Sequence, residues 1–126
     1  MGNRVLVVDD EPNVVSVIRD ALTREGFSVL SAQDGAECLQ KVESEQPDLV
    51  ILDVNMPVMD GFKVLYALRE SEDTRNLPVV MLTVREERGD ELAGWMAGAD
   101  LYLKKPCKME DLVAGVKRLL EAPAKV

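Results

Sequence analysis

Five short apolar runs separated by amphipathic stretches set the limits on this fold. The runs are Val5–Val8, Phe27–Leu30, Leu49–Leu52, Leu77–Leu82 and Leu101–Leu103. The first and third are uninterrupted and branched, the pattern of strands buried on both faces of a parallel sheet. After the first run, Pro12 opens a stretch in which Val14, Ile18, Ala21 and Leu22 recur at helical spacing until Gly26 stops it. Asp34-Gly35-Ala36-Glu37 has the form of a capping box ahead of Leu39 and Val42. Phe62, Leu65 and Leu68 mark a third helix opened by Asp60-Gly61. A polar segment from Val84 to Gly89 precedes a fourth helix around 90–97, and Leu112, Val113, Val116, Leu119 and Leu120 mark a fifth over 109–121. Five strand–helix units in 126 residues leave about 25 residues each, which fits right-handed crossovers with short loops. The pattern predicts an α/β domain, an open parallel sheet with helices on both faces. A closed eightfold barrel needs about 250 residues and is excluded.

In such a sheet ligands bind beyond the carboxyl ends of the strands. The residues that terminate the runs therefore carry the chemistry: Asp9-Asp10-Glu11, Asp53, Thr83 and Lys105. Acids placed about 4 Å apart repel by roughly 4 kcal/mol per pair at an effective dielectric near 20, so the cluster needs an offsetting cation. The chain has no histidine and two cysteines 69 positions apart. Only oxygen ligands are on offer, which favours Mg²⁺ and allows Mn²⁺. A metal, a lysine and a hydroxyl around one isolated carboxylate suit phosphoryl transfer, with Asp53 the best nucleophile.

Composition narrows the classes further. The net charge of −8 argues against direct nucleic-acid binding by this domain. The absence of histidine excludes a Ser-His-Asp system, histidine-ligated zinc or haem, and any phosphohistidine made on this chain. Cys38 and Cys107 read as free, inert thiols of a reducing compartment, no apolar run reaches 18 residues, and the start has no signal-peptide core. The expected location is cytoplasmic, without membrane contact.

Four blocks, LVVDDEP at 6–12, DLVILDVNMPVMDG at 48–61, PVVMLT at 78–83 and GADLYLKKP at 98–106, make the resemblance plain. The chain resembles the receiver domains of two-component response regulators, in particular the single-domain chemotaxis-Y type. The resemblance implies a flavodoxin-like doubly wound (βα)₅ fold with strand order 2-1-3-4-5. It makes 1–121 the receiver domain and 122–126 a tail or the start of a linker. It implies that Asp53 accepts a phosphoryl group from a sensor histidine kinase or phosphotransfer protein. Asp10 binds Mg²⁺ directly, Asp9 through metal-bound water, and Asn55 through its backbone carbonyl. Thr83 follows the phosphoryl group, Tyr102 turns inward behind it, and Lys105, before a cis-linked Pro106, pairs with the phosphate. The surface of the fourth helix, fifth strand and fifth helix then changes, serving a downstream protein, a fused effector or a phosphorylation-dependent homodimer. The domain is a switch rather than a dedicated enzyme, promoting only its own phosphorylation and slow dephosphorylation.

Departures from the family pattern fall on Val84, expected to restrict the inward position of Tyr102, and on Cys107, where an aromatic is common. Asn55 and Arg85 occupy places that tune the lifetime of the phosphoryl group, and Trp95 and Met96 suit either a partner contact or the core. A metal-dependent phosphohydrolase of the haloacid-dehalogenase type is the rival reading. That family carries an acid two residues after its nucleophile, where this chain has Asn55, and usually a cap domain for which there is little room. A flavin binder would need a phosphate-cradling first loop, and Asp9-Asp10-Glu11 would repel that phosphate.

Overall fold

The computed structural model describes residues 3–54, 60–83 and 98–121. Five parallel strands run β1 (Arg4–Val8), β2 (Ser28–Ala32), β3 (Leu49–Asp53), β4 (Val79–Thr83) and β5 (Leu101–Lys104), in the order β2-β1-β3-β4-β5. Helices α1 (Pro12–Arg24), α2 (Gly35–Glu45), α3 (Gly61–Glu70) and a C-terminal helix (Met109–Glu121) complete the described elements. The helix expected over 90–97, the segment 84–89 with Val84 and Arg85, Asn55, Trp95, Met96 and the 122–126 tail lie outside the described residues.

Alternation along each strand divides the core into two layers. Val5 and Val7 of β1, Leu49 and Ile51 of β3, and Val80 and Leu82 of β4 face α1 and the C-terminal helix, meeting Ile18, Leu22, Leu112 and Val116. Leu6, Val8, Val50, Leu52, Val79 and Met81 face the other way, onto Cys38, Val42, Val64, Leu65 and Leu68 of α2 and α3. This two-sided burial is why the central strands read as unbroken apolar runs rather than alternating ones. Each Leu or Ile removed from water in this way contributes roughly 1.5–3 kcal/mol.

Local chemistry sets the helix ends. Pro12 sits in the first turn of α1, where its missing N–H costs nothing. Gly26, at φ 94°, ends the helical run in a left-handed conformation that a side chain would strain. Asp34 caps α2 by accepting from the Glu37 amide at 2.8 Å, while Glu37 reaches back to the Gln33 amide at 2.6 Å. The box therefore closes one residue further out than the standard form, which returns to the cap residue itself. Asp60 caps α3 in the same manner, accepting from the Lys63 amide at 3.0 Å.

The chain runs from β1 to β2 on one side of the sheet and then to β3 on the other. Strand order thus reverses between β1 and β3, and the crevice opened there lies beyond Val8 and Asp53.

Candidate functional site

Asp9 follows β1 directly and Asp53 ends β3, so the register that pairs Val8 with Leu52 brings both acids to one edge of the sheet. Both are 3% exposed, whereas Asp10 is open to solvent. Asp9, Asp10 and Asp53 each offer a carboxylate oxygen, and these three atoms lie within 4.8 Å of one another. A group of carboxylate oxygens this close, with no nitrogen or sulfur ligand among them, is of the kind that would hold a hard divalent cation such as Mg²⁺.

Lys105, just past β5, reaches back across the same edge. Its ammonium donates to Asp9 Oδ2 at 2.8 Å and lies 3.5 Å from Asp53 Oδ1. Burial works against the charge on Lys105, but the hydrogen bond to Asp9 and the charges of Asp53 and Asp9 outweigh it. The net pKa is raised above the ordinary lysine value. The second oxygen of Asp9 accepts from the Glu11 amide at 2.9 Å, so both its oxygens are held from the protein side. Among the described residues three carboxylates meet one ammonium, an acid excess that a divalent cation would offset.

Thr83 ends β4 fully buried, and its carbonyl accepts from the Lys105 amide at 2.6 Å, tying the fourth strand end to the fifth. The peptide bond between Lys105 and Pro106 is cis, as the resemblance implied. Tyr102 pairs with Met81 in the β4–β5 register and is 8% exposed, its ring within the layer formed by Leu52, Val54 and Met81. Cys38 is sealed in that same layer, where burial, with help from Asp34, pushes its thiol up to about 12. Cys107 is also raised, chiefly by burial. A raised thiol pKa leaves little thiolate, which supports the inert reading of both.

The structure therefore brings together Asp9, Asp10, Asp53, Thr83 and Lys105, and sets Tyr102 inward behind them. Two participants were not legible as such in the sequence. The Glu11 amide acts through the backbone, which residue identity does not reveal. Gly61, visible only as a loop-closing residue, packs against the Asp53 backbone itself.

With fold and site in view, comparison with known proteins is direct. The chain belongs to the response regulator receiver domain family, whose model matches residues 5–117. It is 46% identical over 117 residues to the transcriptional regulatory protein PrrA of Mycobacterium tuberculosis, covering 93% of this chain and 49% of that one. It is 41% identical over 120 residues to the alkaline phosphatase synthesis transcriptional regulatory protein PhoP of Bacillus subtilis, covering 95% and 49%. The chain thus spans about half the length of the curated relatives it matches.

Among solved structures, chemotaxis protein CheY4 of Vibrio cholerae superposes with a TM-score of 0.89 at 34% identity, covering 95% of this chain and 100% of that one. A response regulator from Chloroflexus aurantiacus superposes at 0.91 and 35% identity, covering 95% and 98%. The flavodoxin-like architecture and strand order 2-1-3-4-5 hold. Family and fold place the domain in phosphorylation-controlled two-component signalling rather than among dedicated enzymes, and nothing in these matches supports the haloacid-dehalogenase alternative. Among the described residues no helix is long and apolar enough to cross a membrane.

Proposed function

We propose that the chain is a switch that accepts a phosphoryl group on Asp53 from a phosphohistidine of a sensor kinase or phosphotransfer protein, with Mg²⁺ in the acidic pocket. The observation that carries this reading is the meeting of three carboxylates with one lysine at the β1–β3 crevice. When bound, the divalent ion would neutralise charge on the incoming phosphoryl oxygens and on the pocket. Asp10, exposed beside buried Asp9, would hold the ion directly together with Asp53 and the carbonyl of Asn55. Asp9, with one oxygen on Lys105 and the other on the Glu11 amide, would hold the ion through water rather than directly.

The step itself is a displacement at phosphorus. A carboxylate oxygen of Asp53 forms the new P–O bond while the P–N bond to the donor imidazole breaks, and that nitrogen leaves with the bonding pair. Lys105 lies 3.5 Å from Asp53 and is free to exchange one of its carboxylate contacts for a phosphoryl oxygen, following the charge as it moves. Thr83 supplies a hydroxyl at the end of the neighbouring strand. Its movement toward the new group draws on the same layer of the core that holds Tyr102, two register positions from the strand end. Repacking there reaches β5 and the C-terminal helix, the surface that a downstream protein, a fused effector or a second copy would read. Transfer to Asp53 and slow hydrolysis are promoted by the domain itself. The receiver unit is 1–121, with 122–126 as a tail or linker start, and it works in the cytoplasm without contacting nucleic acid directly.

Beryllofluoride, a phosphoryl mimic, tests the reading. It is expected to bind wild type only with Mg²⁺, not to bind Asp53→Asn, and to shift amides around Tyr102. Binding of equal strength to Asp53→Asn would overturn the assignment. A Lys105→Ala variant is expected to keep Mg²⁺ binding but lose the coupling to Tyr102.

A further inference from the structure

The glycines of this chain answer to different demands, and Gly61 stands apart. It is buried at the start of α3 with a backbone conformation open to any residue, so its need is for space alone. A Cβ placed there would lie 2.6 Å from the Asp53 carbonyl oxygen and 2.8 Å from the Val54 Cα. Both are backbone atoms that cannot swing aside. Gly115 offers the internal contrast: a Cβ there would lie 2.4 Å from Leu101 Cδ2, the end of a flexible side chain that can rotate away.

Neither partner in the Gly61 contact is free to retreat. Asp53 is paired to Leu82 of β4, and the next amide, Val54, donates to the Leu82 carbonyl at 2.9 Å. On the other side α3 is anchored by Val64 and Leu65, both fully buried, and by its Asp60 cap. Between them the Gly61 amide donates to the Val54 carbonyl at 3.0 Å, closing the junction beside Asp53. A helix N-terminus with its partial positive charge is thereby held against the backbone of Asp53.

We propose that Gly61 is a positioning residue for the cation site: by lacking a side chain it lets α3 close onto the Asp53–Val54 backbone and fixes the place of the Asp53 carboxylate. This inference rests on the Mg²⁺ reading above. Relieving the contact from 2.6 Å to the 3.4 Å of ordinary packing requires a displacement of about 0.8 Å at this junction. Metal–ligand distances tolerate about 0.2 Å, and Mg²⁺ is the most exacting of the common divalent ions in its geometry. Whichever side yields, the strain falls on the backbone beside the Asp53 carboxylate: β3 shifts at Asp53 and Val54, or the Gly61–Val54 hydrogen bond that closes the junction is lost.

The test is Mg²⁺ titration of wild type, Gly61→Ala and Gly115→Ala, each with its own thermal melt. Gly61→Ala is expected to unfold cooperatively and to bind Mg²⁺ about tenfold or more weakly, as for loss of groups that orient metal ligands. Gly115→Ala is expected to bind within about twofold of wild type. A cooperatively folded Gly61→Ala with wild-type affinity would overturn the proposal. Should Gly61→Ala fail to fold, hydrogen exchange in wild type decides. Mg²⁺ must then slow exchange of the Gly61 amide, since a junction that controls affinity is stabilised in return by the ion. An unchanged Gly61 rate overturns the proposal. A wild type that binds no Mg²⁺ overturns the metal reading itself, and the inference with it.

Discussion

The two ends of this sheet carry polar clusters of opposite character. At the end where β4 and β5 begin, Arg69 of α3 donates to the carbonyls of Gly98, Leu77 and Thr74 and to Asp100 Oδ2. The same Asp100 oxygen accepts from the Val79 amide at 2.9 Å. One guanidinium and one carboxylate thus balance, and three loop carbonyls are satisfied with them. At the far end Asp9, Asp10 and Asp53 gather around Lys105, and among the described residues acid is in excess. A network closed in charge and in hydrogen bonds ties α3 to the strand entries, as a structural joint does. A network left open in charge is costly at rest and gains when an ion arrives.

Breaking the closed end is the harshest test of that contrast. Arg69→Met removes the charge opposite half-buried Asp100 and the guanidinium donor to three carbonyls, and should cost about 3 kcal/mol in urea unfolding. A loss below about 0.5 kcal/mol would place the clamp among surface pairs that add little. Filling the open end should have a comparable effect of opposite sign. Mg²⁺ at a hundredfold excess over its dissociation constant should stabilise wild type by about 2.7 kcal/mol, and Asp10→Asn should lose most of this response. In the absence of the ion, Asp10→Asn should be no less stable than wild type, because it removes a repelling charge. A destabilised metal-free Asp10→Asn would mean that the acidic end is balanced after all. The mildest probe is Asp100→Asn, which keeps an acceptor for the Val79 amide while removing the charge opposite Arg69. It should cost about 1 kcal/mol, and a cost equal to that of Arg69→Met would mean that charge rather than satisfaction of carbonyls holds the joint.

The two clusters were also unequally legible in the sequence. Asp9, Asp53, Thr83 and Lys105 stand out because each follows an unbroken apolar run, and the parallel topology that such runs demand forces their ends together. The five strands and the four described helices were recognisable for the same reason, with boundaries differing by one or two residues, as where β4 begins at Val79 rather than Leu77. Pro78 explains that difference: it carries no N–H for a ladder, and its carbonyl accepts from Val50 just before the paired segment begins. Arg69 gave no such signal, since a single arginine in the last turn of a helix is an ordinary solvated residue until the fold brings Gly98 and Asp100 beneath it. The Gly61 contact was hidden for another reason: glycine after aspartate reads as a turn, and the close approach to Asp53 exists only once α3 packs on β3.

The central claim, that the open acidic end receives a phosphoryl group on Asp53, is tested most directly by peptide mass mapping after incubation with a small phosphodonor and Mg²⁺. Wild type should gain one phosphoryl group on the peptide that contains Asp53, dependent on Mg²⁺ and absent from Asp53→Asn. Labelling of equal extent in Asp53→Asn, or a phosphoryl group found on another peptide of the wild type, would contradict the account.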